Sequence, residues 1–262
     1  MTTGESLEPS SWARLQEDID SCTTCKRLGS GLIVYCEKTP ARPPSPTAGS
    51  LLFISEAPPP GGGFWAPPPV RDDLREKLFS ILREFLRGND IQLPDPHARG
   101  SLVKFTLLGL FLIQTVKWPL CDSARTLRPA ERLLIEHLVD SHVSTELAII
   151  KPSAIIPLGK VACYACERMF SAHRFVFRPR KLEAVRGKTF HVAMNHSSDV
   201  PLYPTGLPLK QAQRRNELPR LAQEIHTALS NHWNPTRGSF VGPTDGSTAS
   251  RPMTPGPRGE HP

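Results

Sequence analysis

Short apolar runs alternate with amphipathic stretches along this chain, and that alternation limits the folds it can adopt. Residues 51–54, 107–115, 154–158 and 189–194 are runs of strand length. Helical periodicity fills the intervals. Over residues 70–86, Leu74, Leu78, Ile81, Leu82 and Phe85 share a stripe and Gly88 is a stop. Over residues 129–149, Pro129 sits in the first turn and Glu131 lies near the positive end. Gly159 opens a helix to about Phe170, and residues 219–232 form the last one. A first helix over residues 12–20 sets Leu15 and Ile19 on one face. Strands separated by helices pair in parallel, with helices on both faces. The expected fold is a three-layer α/β/α domain around a four-stranded parallel sheet. Ligands of such sheets bind beyond the carboxyl ends of the strands.

Composition sets the limits of that domain. Apolar residues make up 39% of the 262, enough for a real core. Prolines number 28, and they crowd residues 40–69 and the stretch after Asn234. The expected division is an N-terminal helical extension over residues 1–20, one α/β domain over 21–233, and a disordered Pro/Gly-rich tail over 234–262. The longest greasy run, residues 107–116, is interrupted by Gln114 and is too short to span a bilayer. The first twelve residues carry acidic groups and no apolar run, unlike a secretory signal. A cytoplasmic, non-secreted monomer is expected, with no membrane partner. Six cysteines in such a chain point to thiols or a metal site rather than a disulfide framework.

Three strand ends hold polar, chemically capable residues: Ser55-Glu56, Gln114-Thr115-Val116-Lys117 and Asn195-His196-Ser197. The first continues as Ala57-Pro58-Pro59, with Phe64 beyond a glycine run. The third apolar run ends in Leu158-Gly159, and Cys22-Thr-Thr-Cys25 lies near the N-terminus. In this order and at these strand ends, the motifs resemble those of the uracil-DNA glycosylase superfamily, closest to its iron–sulfur (family 4) branch. The likeness spans roughly residues 22–232. This sequence departs from the family pattern at several places. Ser55 and Pro59 stand where the family has glycines, Gln114 where it has the base-reading asparagine, and Trp118 where it has a third cysteine. The fourth family cysteine, near Val139, is absent.

The resemblance implies a monofunctional DNA glycosylase that hydrolyses the N-glycosidic bond of uracil or another deaminated base, in base excision repair. It makes Glu56 and His196 the catalytic pair: Glu56 orders a water and faces the sugar cation, and His196 stabilises the departing base. Ser55, Ala57, Phe64, Gln114, Asn195 and Ser197 would line the base pocket, with Phe64 stacking on a flipped base and Gln114 pairing with its edge. Lys117, Arg214 and Arg215 would meet DNA phosphates. Leu202 or Tyr203 would act as the minor-groove wedge. The alternative is a protein that kept the fold and binds nucleic acid without cutting it, or a metal-containing sensor.

Cys22 and Cys25 have ligand spacing. With Cys121 they make three ligands, and Cys36, His137 or His142 is the fourth; Cys22, Cys25, Cys36 and Cys121 are the all-cysteine set. A 4Fe-4S cluster, a zinc ion and an empty relict site all remain open. Cys163 and Cys166 share the spacing but sit beside Ala162 and Ala165 on a helix, where small buried thiols are expected. The net charge of +7 lies mostly in the domain. Basic residues cluster over positions 174–188 and 210–220, on both sides of the His196 motif, which fits a DNA backbone footprint.

Overall fold

The computed structural model describes residues 11–33, 41–60, 62–67, 69–121, 128–170, 189–192, 200–205, 212 and 216–240. The N-terminal helices are α1 (Ser11–Ser21) and α2 (Thr23–Leu28). Strand β1 (Leu51–Ser55) leads to α3 (Asp73–Arg87) and α4 (Ser101–Leu107), and β2 (Leu110–Gln114) follows. Next come α5 (Pro129–Leu138), a π-helical turn (Val139–Val143) and α6 (Ser144–Ile150), which run on as one interrupted helix. Strand β3 (Ala154–Pro157), α7 (Lys160–Phe170), β4 (Phe190–Val192), β5 (Val200–Leu202) and α8 (Leu218–His232) complete the order. No described helix is long and apolar enough to cross a membrane.

The strands lie in the order β2-β1-β3-β5-β4. The first four are parallel, as expected of an α/β/α sandwich, and β4 pairs antiparallel with β5 at the edge. Every residue of β1 and β3 is buried, which is why both read as unbroken apolar runs. Helix α7 packs on β1 and β3, while α3 packs on α8, which in turn touches β3.

Four expectations are corrected. The run at 107–115 is a strand only from Leu110, because Leu107 ends α4 and Gly109 turns the chain at φ 76°. The apolar alternation at 189–194 does form a strand, but an antiparallel one. The fourth parallel strand is β5, whose Pro201 disguised it as a loop. The N-terminal helix is no extension: Trp12, Leu15 and Ile19 are core residues, and Trp12 meets Phe111 edge-on at 5.7 Å. The fold also continues past Asn234. Asn234 bridges Ser239, the Phe240 amide donates to the Leu108 carbonyl at 2.8 Å, and the Phe240 ring stacks against Trp233 and Phe85 in the core.

Candidate metal centre and carboxyl-end cleft

Two clusters of polar side chains emerge, and α1 and α2 build the first. Cys22 is the N-cap of α2; its sulfur accepts the Cys25 amide at 3.3 Å, so the Cys-x-x-Cys spacing closes on itself over one turn. Opposite stands the interrupted helix. Cys22 Sγ lies 3.4 Å from His137 Nε2, and Cys25 Sγ lies 3.4 Å from His142 Nε2. All four ligand atoms fall within 4.8 Å of one another. Cys22, Cys25, His137 and His142 therefore form a possible metal-binding site.

The π turn explains how both imidazoles reach it. In a regular α-helix two residues five apart point about 140° away from each other. The π turn at Val139–Val143 widens the helix so that positions five apart share a side. Such turns are frequent at functional sites. Ser141, inside the same turn, lies 3.3 Å from His137 Nδ1 and can orient that ring. Burial pulls the His142 imidazole down to about 4, helped by the positive charge of Lys117, so the ring is neutral and ready to ligate. Burial, reinforced by the Cys22 hydrogen bond, pushes the Cys25 thiol well up. An ion must displace that proton to bind there.

The all-cysteine ligand set is corrected accordingly. Cys121 is exposed and is not among the four; its amide instead donates to the Leu32 carbonyl at 2.8 Å, pinning the chain after β2 to the N-terminal segment. Cys36 lies outside the described residues. Cys163 and Cys166 are buried on α7, as their alanine neighbours implied.

The second cluster forms where β1 and β2 end. Ser55 and Gln114 are cross-strand partners. The ladder continues beyond them: the Thr115 amide donates to the Ser55 carbonyl and the Val116 amide to the Glu56 carbonyl, both at 2.8 Å. The Ser55-Glu56 and Gln114-Thr115 motifs thus lie side by side. Gly63 closes over them at φ 135°. A methyl group there would crowd Pro58 Cβ at 3.3 Å, and the positive φ itself favours glycine; Gln114 Nε2 lies within ordinary contact distance at 4.0 Å. The hydroxyls of Ser55 and Thr115 are buried with no hydrogen-bond partner among the described residues. Such groups call for an explanation. At the ends of β3 and β5 the Thr205 hydroxyl donates to the Pro157 carbonyl at 2.9 Å. Ala57 is half-buried against the core.

Other expected site residues take different places. Phe64 is 1% exposed and packs its ring against Trp65, Phe79 and Phe105, so it is a core residue rather than an open stacking platform. Leu202 is fully buried in β5, where it pairs with Ile155, and cannot wedge into a groove. Tyr203 is anchored, its hydroxyl 3.0 Å from His232 Nε2 on α8. Lys117 is bound to Glu146 at 2.5 Å in a buried ion pair and is not available to a phosphate. His196, Asn195, Ser197, Arg214 and Arg215 lie outside the described residues.

Sequence reading missed one further device. Arg75 is wholly buried, and its guanidinium donates to the carbonyls of Phe64, Ala66 and Val70. It fixes the Pro/Gly-rich loop that follows Glu56. An arginine inside the α3 stripe was the available signal. No family profile and no curated protein matches this chain, so its functional reading rests on the residues themselves.

Proposed function

We propose that this chain is a monofunctional DNA glycosylase for deaminated bases, built on a sheet held by one zinc ion. The observation that carries the enzymatic reading is the side-by-side ladder of Ser55-Glu56 with Gln114-Val116. It sets a carboxylate and a side-chain amide at one sheet end, beside two buried hydroxyls that have no partner among the described residues. In this reading Glu56 orients a water for attack on the sugar carbon. The C–N bond breaks, the base leaves with the bonding electrons, and His196 supplies the hydrogen bond that stabilises it. Gln114 pairs with the edge of the flipped base.

The metal reading has separate support. A tetrahedral zinc with Zn–S near 2.3 Å and Zn–N near 2.0 Å holds a sulfur and a nitrogen roughly 3.5 Å apart. The observed separations are 3.4 Å. A 4Fe-4S cluster spreads its ligands over four irons, and it takes thiolates. Two thiols and two imidazoles within 4.8 Å suit a single ion instead. Four protein ligands also match a closed structural site, with no position left for substrate.

The test is alkali-induced strand cleavage of labelled single- and double-stranded oligonucleotides holding uracil, hypoxanthine or xanthine. Wild-type protein is expected to cut one of them, and Glu56→Gln and His196→Ala to cut at least ~100-fold more slowly. One observation favours a second reading, nucleic-acid binding without excision: Phe64, expected to stack on the flipped base, is spent inside the fold. Retained binding with no cleavage of any substrate by zinc-loaded protein would establish that reading and end the first.

A further inference from the structure

Lys117 follows Gln114 by three residues, yet its ammonium faces inward. Nζ lies 2.5 Å from the Gln114 carbonyl oxygen and 2.5 Å from Glu146 Oε2. Glu146 is buried in the first turn of α6, directly after the π turn that carries His142. Helix α1, which leads into Cys22, packs against α6. One buried ion pair therefore joins the helices that hold the metal ligands to the strand end that opens the cleft.

We propose that Lys117 and Glu146 transmit occupancy of the metal centre to the backbone of residues 114–116. The inference deepens the reading of the cleft as a base site and rests on it only for calling Gln114 a base reader. With an ion bound, the four ligands hold the π turn and the Cys22–Cys25 segment together. Without it, nothing repays the wide turn, which relaxes toward regular helix and carries Glu146 with it. Lys117 follows its carboxylate, and the Gln114 carbonyl loses a charged donor. The amides of Thr115 and Val116, paired with Ser55 and Glu56, are the next to loosen. By linkage, a ligand that fixes this backbone tightens the ion in return. Lys117 is a positioning residue in this scheme.

Hydrogen exchange of the full chain, zinc-loaded and after chelation, tests the tie. In wild-type protein the amides of residues 115 and 116 are expected to exchange about tenfold faster after zinc removal, while those of β3 keep their rate. The double variant Lys117→Met/Glu146→Leu cuts the link without leaving a buried charge. Its 115 and 116 amides are expected to exchange at one rate with or without zinc, with stoichiometry unchanged. In cobalt-loaded protein the thiolate-to-cobalt absorption of the double variant is expected to shift, because the α6 side of the centre has lost its buried tie to residue 114. Wild-type amides that ignore zinc removal, or a double variant with wild-type zinc dependence, would overturn the proposal. Should chelation also free β3, the loaded proteins decide. At least threefold faster exchange at 115 and 116 in the double variant, with a shifted cobalt band, supports the tie; wild-type behaviour in both refutes it. None of these readouts uses base excision, so a failed glycosylase assay leaves the tie to stand or fall alone.

Discussion

Replacing Lys117 by Met isolates the energetics of the buried pair. The two side chains are 10% and 2% exposed, and the charged atoms are 2.5 Å apart. At an effective dielectric near 20, unit charges about 4 Å apart attract by about 4 kcal/mol. Desolvation of each ion costs several kcal/mol, so the intact pair is close to neutral for stability. Removing one partner is different, because it leaves a buried carboxylate without its ion-pair partner. That costs about 3–5 kcal/mol, or roughly 6–20 °C of melting temperature in a chain of this size. The cost depends on pH. Burial already holds the Glu146 carboxyl above its ordinary range, and Lys117 opposes that shift. Without Lys117 the folded state favours the protonated acid more strongly, so the penalty is full at high pH and lessens as pH falls through the raised value. Lys117→Met/Glu146→Leu removes both charges and is expected to recover most of the loss. Thermal and urea unfolding of both variants at several pH values provide the measurement. A single variant that costs under about 1 kcal/mol, or a double variant no more stable than the single, would refute the reasoning.

Further outcomes follow from the same geometry. The purified chain is expected to carry about one zinc and negligible iron, with Cys121→Ser keeping the ion and His142→Ala losing it, as elemental analysis would read. Phe64→Ala is expected to cost about 3–5 kcal/mol in urea unfolding; a loss under about 1 would return the ring to a base-stacking role. Burial holds His232 below its usual range, so stability is full above about 6.5 and declines as pH falls. That decline is expected to shrink in His232→Gln, measured by denaturant titration at pH 7.5 and 5.5. Phe240→Ala is expected to cost about 3–5 kcal/mol, and a smaller loss would show that the segment after α8 docks without supporting the core.

The parallel sheet was legible because burial on both faces leaves no polar residue in β3 and only the terminal Ser55 in β1, so their apolar runs and the helical stripes between them read directly. What escaped were features in which local chemistry misleads. Pro201 argues against a strand, yet β5 has only three residues and pairs on both sides through few bonds. Phe240 sits among glycines, prolines and polar residues, so nothing periodic marked it for the core. The half-site Cys22 and Cys25 was visible in its spacing. Its completion was not, since residues five apart on a helix face different ways unless a π turn intervenes, and no residue type signals that turn. Lys117 looked like a phosphate contact because its acidic partner lies 29 positions away in sequence. Phe64 looked like a stacking residue for its place after a glycine run, while the aromatic cluster that absorbs it comes from α3 and α4.

The ligand pairs are separated by 115 and 117 positions along the chain, and that interval has a meaning for biosynthesis. At about 5–20 residues per second, translation leaves the Cys22 and Cys25 thiols without their imidazole partners for roughly 6–23 s. Through that interval α1 has no α6 to cover Trp12, Leu15 and Ile19, and two neighbouring thiols stand open to oxidants. Once His142 emerges, an ion held at the proposed centre would close a loop of more than one hundred residues, an entropic constraint on the unfinished chain of about 4–5 kcal/mol if it acts as a covalent link does. The centre would then serve as the latch that joins the first-made helices to a sheet whose last strands are still being synthesised.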